Sequence, residues 1–194
     1  MNRFKIAVVV GSNRRESINR KLAQALTGLA DDKFAFSFVQ IDDLPIYNQD
    51  LEVELPAGVA RLKAEVSSAD GLLFVTPEHN RSIPTVLKNA IDWGARPYGQ
   101  NSWSRKPVAI TGMSPGAIGT AVAQQHLRQV LGVLGALVMG GEAYITFKPG
   151  LFDEAGGVSD ESTRAFLKNF IDQFSALVIR LSASSSEPPH RAAA

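Results

Sequence analysis

Three short stretches of this chain carry most of the residue types that can recognise a small anionic ligand. The first is Gly11-Ser12-Asn13-Arg14-Arg15-Glu16-Ser17-Ile18-Asn19, between the apolar run Ile6 to Val10 and a stretch of helical apolar spacing. A loop so placed brings backbone N–H groups and the positive end of a helix dipole to one point. A phosphate dianion needs several donors, and each charge-assisted hydrogen bond contributes roughly 1.5–3 kcal/mol. Ser12 and Ser17 offer hydroxyls, Asn19 an amide, and Arg14 or Arg15 a guanidinium. No G-x-x-x-x-G-K-[ST] is present, which excludes a triphosphate loop. No G-x-G-x-x-G is present either, which argues against a dinucleotide turn, although Asp42 stands where a ribose-binding acid would. A hydroxyl-rich loop with a single glycine suits a terminal monophosphate. The plainer alternative is a polar turn with Ser17 as N-cap.

The second stretch, Thr76-Pro77-Glu78-His79-Asn80-Arg81-Ser82-Ile83-Pro84, is dense in polar groups, and its prolines restrict the backbone. That suits the edge of a planar ligand, with Asn80 as both donor and acceptor. Glu78 reads as a solvated loop residue rather than an acid or base. The third, Gly112-Met113-Ser114-Pro115-Gly116-Ala117-Ile118-Gly119, has three glycines. Glycine lets backbone N–H groups approach a ring closely, where they favour charge developing on reduction. A flexible loop is the alternative.

The elements that position these loops follow from periodicity. Ile6–Val10 is a continuous β-branched run, as in a strand buried on both faces. Ile18, Leu22, Ala25, Leu26 and Leu29 recur at helical spacing; Phe34, Phe36 and Phe38 alternate in a strand ending near Ile41. Val59, Leu62 and Val66 mark a helix, Leu72–Val75 a strand, and Leu87, Ala90 and Ile91 a helix with Pro84 near its start. Val108–Thr111 is a strand, and Val122, His126, Leu127, Val130 and Leu134 follow a helix face. Leu137–Met139, with Tyr144–Thr146, gives the last strand; Phe166, Phe170, Phe174 and Leu177 line a closing helix that Ser159 would cap. Five βα units in series predict a parallel sheet with helices on both faces. Ligands bind such sheets outside the carboxyl ends of the strands, where all three loops fall. One domain over residues 1–181 is expected, with a Ser/Pro/Ala-rich disordered tail over 182–194.

Composition narrows the classes. The 194 residues include no cysteine, which excludes disulfides, thiolate metal sites and cysteine nucleophiles. A formal charge of +1 gives no electrostatic case for nucleic acid or anionic membrane. The apolar run near the start is too short for a signal segment, no run is long enough for a membrane span, and a cytoplasmic protein is expected. His79, His126 and His190 form no metal pattern, and no G-x-S-x-G is present. His126 reads as a packed or interface residue. Trp93 and Trp103 read as core, lid or subunit contact.

Taken together, Gly11 to Ala23, Thr76 to Pro84 continuing through Leu87-Lys88-Asn89-Ala90-Ile91-Asp92-Trp93, and Ser114-Pro115-Gly116 leading to Gln125-His126-Leu127-Arg128 resemble the NADPH-dependent FMN reductase family, which includes bacterial quinone, chromate and azo-dye reductases. The resemblance runs over roughly residues 4–180. It implies a flavodoxin-like α/β fold with a five-stranded parallel sheet in the order 2-1-3-4-5. It implies that Ser12, Arg14, Ser17, Ile18 and Asn19 hold the FMN phosphate. Pro77, Glu78, His79 and Asn80 would line the isoalloxazine, largely through backbone groups, and Ser114, Pro115 and Gly116 would border its other side. The implied reaction uses NADPH or NADH to reduce the flavin, which passes electrons to a quinone, free flavin, azo compound or metal oxyanion. The flavin carries that chemistry, so no catalytic side chain is required. Family likeness also implies a homodimer or homotetramer, with Leu87–Trp93 partly at the interface and Arg128 and Glu142 as interface candidates. The chain departs from the family at His79, where tyrosine is usual, and at Thr85, where glycine is usual; the first departure bears on stacking over the flavin or on the acceptor pocket. Two other classes remain open, an FMN-binding electron carrier and a redox-responsive interaction protein, with a Rossmann dehydrogenase more distant.

Overall fold

The computed structural model describes residues 3–184. Strand β1 (Phe4–Val10) leads to helix α1 (Ile18–Leu29) and strand β2 (Phe34–Phe38). After a 3-10 turn at Gln49–Glu52 come α2 (Ala57–Ser68), β3 (Gly71–Val75) and α3 (Thr85–Gly94). Then follow β4 (Pro107–Ser114), α4 (Ala121–Val133), β5 (Leu137–Val138), β6 (Tyr144–Thr146) and α5 (Glu161–Ser184). All strand pairs are parallel, in the order β2-β1-β3-β4-β5, with β6 also pairing β4.

The double burial expected of β1 is met residue by residue. Ile6, Val8 and Val10 pack on the side of α1 and α5, with Leu22, Leu26, Ile171 and Phe174. Ala7 and Val9 pack on the other side, with Val59, Leu62 and Leu87 from α2 and α3 and Leu127 and Leu131 from α4. Alternate side chains of a strand point to opposite faces, so two helical layers require apolar residues at every position. Trp93 and Trp103 are fully buried in the second layer, with their indole N–H groups donating to the carbonyls of Pro45 (2.8 Å) and Ile91 (2.9 Å). Neither is a lid or a surface contact.

Four boundaries differ from the sequence reading. Strand β2 stops at Phe38 rather than near Ile41. The fifth sheet position is split: β5 pairs Pro107 and Val108, while β6 pairs Gly112 to Ser114. Helix α5 continues through Ser184, so the tail expected from residue 182 begins inside a helix, and residues 185–194 lie outside the described residues. Its cap is Asp160 rather than Ser159. The Asp160 carboxylate accepts from the N–H of Thr163 and the hydroxyl of Ser162, both at 2.7 Å. Those bonds favour the ionised form and hold the group down at about 2. Because the folded value is lowered, the stabilisation is present above the ordinary carboxylate range and is lost as pH falls from about 4 towards 2. Asp160→Asn should therefore flatten the acid limb of a thermal-denaturation series over that window; an unaltered limb would refute the assignment.

Candidate functional site

The three loops meet at the carboxyl ends of β1, β3 and β4 and are fastened to one another. The Gly11 N–H donates to the Val75 carbonyl at 2.9 Å, and a methyl group on Gly11 would lie 2.6 Å from the Thr76 hydroxyl. The first loop thus begins hard against the second. Asn19 ties the first loop to the third. Its amide donates to the Met113 carbonyl at 2.9 Å, and its oxygen accepts from the Met113 N–H at 2.8 Å. Asn19 is buried, so the side chain read as a phosphate donor is engaged as a brace across 94 residues of sequence.

Ser17 is the N-cap of α1, its hydroxyl oxygen accepting from the Arg20 N–H at 3.2 Å. Ser12 and Arg14 are at the surface of the loop, the Ser12 oxygen accepting from the Arg14 N–H at 3.4 Å. The backbone N–H groups of Ile18 and Asn19 have no partner among the described residues. They lie on the first turn of a twelve-residue helix, where orphan donors and the helix dipole both favour an anion.

In the second loop, His79 and Ser82 exchange backbone hydrogen bonds at 3.0 and 2.9 Å, closing a two-residue hairpin. Asn80 and Arg81 between them have φ of 48° and 62°, as a type I′ turn requires. Asparagine tolerates this conformation; arginine does so at a cost of about 1–2 kcal/mol. The N–H groups of Glu78 and Asn80 have no partner among the described residues. Glu78 itself is not solvated. Its side chain is 7% exposed, and one oxygen accepts from the Ala123 N–H in the first turn of α4 at 3.0 Å. The other accepts from Arg81 at 3.0 Å. The residue at the start of α4, Thr120, makes no side-chain cap, and Glu78 supplies one from another loop. No local pattern around Ala121 announces this.

The third loop holds itself together. The Ser114 hydroxyl donates to the Gly119 carbonyl and accepts from the Gly116 N–H at 3.2 Å, with Pro115 between them. The N–H groups of Ala117 and Ile118 have no partner among the described residues.

Three other residues singled out in the sequence, His126, Arg128 and Glu142, have partners within the chain. His126 is exposed rather than on the buried stripe of α4, with Nδ1 3.1 Å from the Ser82 hydroxyl. Both border a groove of about 770 Å³ between α3, α4 and the segment around Tyr47. Arg128, read as an interface residue, donates to the carbonyls of Met139 and Gly141 of its own chain, and Glu142 accepts from Gln125 at 2.9 Å.

An open doubly wound sheet with unpartnered donors on the first turn of α1 and on the two neighbouring loops defines a flavodoxin-like domain. The comparisons make this specific. The family model for NADPH-dependent FMN reductase matches residues 4–149, and the chain belongs to that family. It is an oxidoreductase. A 2-hydroxy-1,4-benzoquinone reductase from Burkholderia sp. is 50% identical over 176 residues, covering 90% of this chain and 96% of its own. The solved flavoenzyme NAD(P)H:(acceptor) oxidoreductase FerB of Paracoccus denitrificans superposes with a TM-score of 0.88 at 45% identity, covering 91% of this chain and 98% of its own. A Pseudomonas aeruginosa flavodoxin, at 17% identity and a TM-score of 0.57 over 89% of this chain and 99% of its own, shares the fold.

The donor set fits FMN. Unpartnered N–H groups on the first turn of α1, with Ser12 and Arg14 beside them, suit the phosphate. Unpartnered N–H groups at Glu78, Asn80, Ala117 and Ile118 suit the polar edges of a flat ring.

Proposed function

We propose that the chain uses FMN to carry electrons from NAD(P)H to a small acceptor, and that the acceptor class is a quinone. The observation that carries the reading is the set of unpartnered backbone donors on three mutually fastened loops. The quinone reductase at 50% identity supports the choice of acceptor. When bound, FMN supplies the two-electron chemistry that links a nicotinamide donor to an acceptor. The protein's part is to bind, orient and stabilise charge. Ser12, Arg14 and the N–H groups of Ile18 and Asn19 hold the phosphate. Pro77 to Asn80 present backbone groups to the ring, and Ser114 to Gly116 border it. Ser17 and Asn19 act as positioning residues for the first loop. His79, exposed in the closing pair of its hairpin, is assigned to the acceptor side.

The purified chain should be yellow, or become so with added FMN. Anaerobic NADPH should bleach its visible absorption, and a benzoquinone should restore it. A colourless protein that takes up no FMN would sink the reading. A cytoplasmic location, where the nicotinamide donor is found, belongs to the same proposal. No helix among the described residues is long and apolar enough to cross a membrane.

The oligomeric state is part of the proposal. The groove between α3 and α4 is rimmed by Ile46 and Val133, 73% and 85% exposed, with Ile83 and Val130 inside. We assign this face to a second copy of the chain. Sedimentation should give the mass of two or four chains, and Val133→Glu should halve it or leave monomers. A monomeric parent protein would overturn the assignment.

A further inference from the structure

We propose that the cleft between the first loop and the end of β2 receives the adenosine-phosphate end of the nicotinamide dinucleotide and favours its 2′-phosphorylated form. The proposal rests on the oxidoreductase reading above and adds a donor subsite to it. The cleft measures about 390 Å³ and is bounded by the first loop and Arg20 on one side and by Phe38 to Asp42 on the other. It lies on the β2 side of the first loop, away from the two loops after β3 and β4 assigned to the ring. A ligand there does not contend with the flavin for those loops.

Its chemistry is uneven in a telling way. Arg14, Arg15 and Arg20 are all exposed on its rim, and none forms an ion pair among the described residues. The nearby carboxylate of Glu16 is paired instead with Lys21, at 3.7 Å. Three guanidiniums on one small polar cleft create a field that favours an anion. Arg14 is assigned to the flavin phosphate, which leaves Arg15 and Arg20 for a second phosphate-bearing ligand. The Arg20 guanidinium lies 5.7 Å from the centroid of the Phe38 ring. Phe38 is 36% exposed at the carboxyl end of β2, so a planar base can stack on the ring as Arg20 turns from it to the phosphate. Asp42, exposed just beyond, offers a carboxylate to a ribose hydroxyl. Alone, Asp42 would favour an unphosphorylated ribose; two unpaired guanidiniums outweigh one carboxylate and tip the preference to a 2′-phosphate. Inorganic phosphate would use only the arginines. A nucleotide uses the aromatic face and the acid as well.

The test uses the full chain loaded with FMN, the double variant Arg15→Gln/Arg20→Gln and the single variant Phe38→Leu. Adenosine 2′,5′-bisphosphate should compete with NADPH, and far better than inorganic phosphate or 5′-AMP does. In the double variant the ratio of kcat/KM for NADPH to that for NADH should fall about tenfold or more, the size of one lost charge-assisted contact. Raising salt from about 0.05 to about 0.5 M should raise the KM for NADPH in the parent, and less so in the double variant. Phe38→Leu should weaken bisphosphate binding without removing the preference for it over 5′-AMP. The proposal is overturned if the bisphosphate fails to compete, if inorganic phosphate competes equally well, or if the ratio stays within about twofold of the parent. A chain that takes up no FMN would fail the oxidoreductase reading separately. Calorimetric titration of the bisphosphate into that chain would still decide the cleft, since binding lost in the double variant supports it and no binding refutes it.

Discussion

Gly112→Ala should abolish the folded, FMN-competent chain. A methyl group at Gly112 would stand 2.0 Å from the Thr76 carbonyl oxygen and 2.5 Å from the Thr120 hydroxyl. The first of these is backbone and cannot swing away. Thr76 is held in place by its own N–H bond to the Thr111 carbonyl, at 3.0 Å. Relief therefore requires β3 and β4 to separate at their carboxyl ends, where the second and third loops begin. Overpacking commonly costs 1–3 kcal/mol, and a clash with fixed backbone falls in the tail of about 4–5 kcal/mol or more. The expected result is little folded protein, with no flavin absorption in what is recovered. Gly132→Ala is the control. Gly132 lies inside α4, and a methyl group there meets nothing within 4 Å. That change should be neutral or stabilise by about 0.5–1 kcal/mol, because alanine loses less backbone freedom on entering a helix. If Gly112→Ala melted with the parent and bound FMN as well, the close approach of the two strand ends would be refuted.

Asn19→Leu should lower the melting temperature of the FMN-free chain as well as weaken the flavin. Leucine has the same number and branching of side-chain heavy atoms as asparagine but no polar atom, so the Met113 N–H and carbonyl would both lose their partner in a buried place. Each orphaned group costs about 1–3 kcal/mol, or some 2–6 kcal/mol together. For a chain of this length that lowers the melting temperature by about 5–15 °C. The comparison of apo and loaded protein is informative. A residue that only touched the phosphate would weaken FMN and leave the apo protein's melting unchanged. A brace between loops moves both, and that is the expected result. An unchanged apo transition would return Asn19 to the role of a phosphate ligand.

These two residues show where sequence reading reaches its limit. The sheet was legible because double burial imposes a continuous apolar run, and Ile6 to Val10 and Leu72 to Val75 display it within a few residues. The first loop was legible as an anion site because strand, polar loop and helix start are consecutive. Asn19 was legible as important but not as a brace, since its partner is 94 positions away. Glu78 was read as solvated for the same reason: the helix it caps begins at Ala121, and nothing near Glu78 announces that. Thr120, with a hydroxyl in the right place, looks like the local cap yet makes no such bond. The cap of α5 was missed by one residue because Ser159 and Asp160 are both competent, and only the fold decides between them. Trp93 and Trp103 had three readings on paper, and packing against Phe74 and Tyr47 leaves one.

The split of the fifth sheet position bears on how copies of this chain behave when crowded. A parallel sheet that ended on a long, straight strand would offer a row of N–H and carbonyl groups for a neighbouring molecule to extend. Here that border is cut into a piece of two residues and a piece of three. Between them the chain steps outward, held by Arg128 at Met139 and Gly141 and by Thr111 and Gln124 at the Ala143 carbonyl. Neither stub is long enough to template an incoming strand, and the notch between them points its carbonyls back into its own fold. That border is thereby closed to runaway strand addition, and the sheet keeps one uninterrupted edge, the five residues of β2.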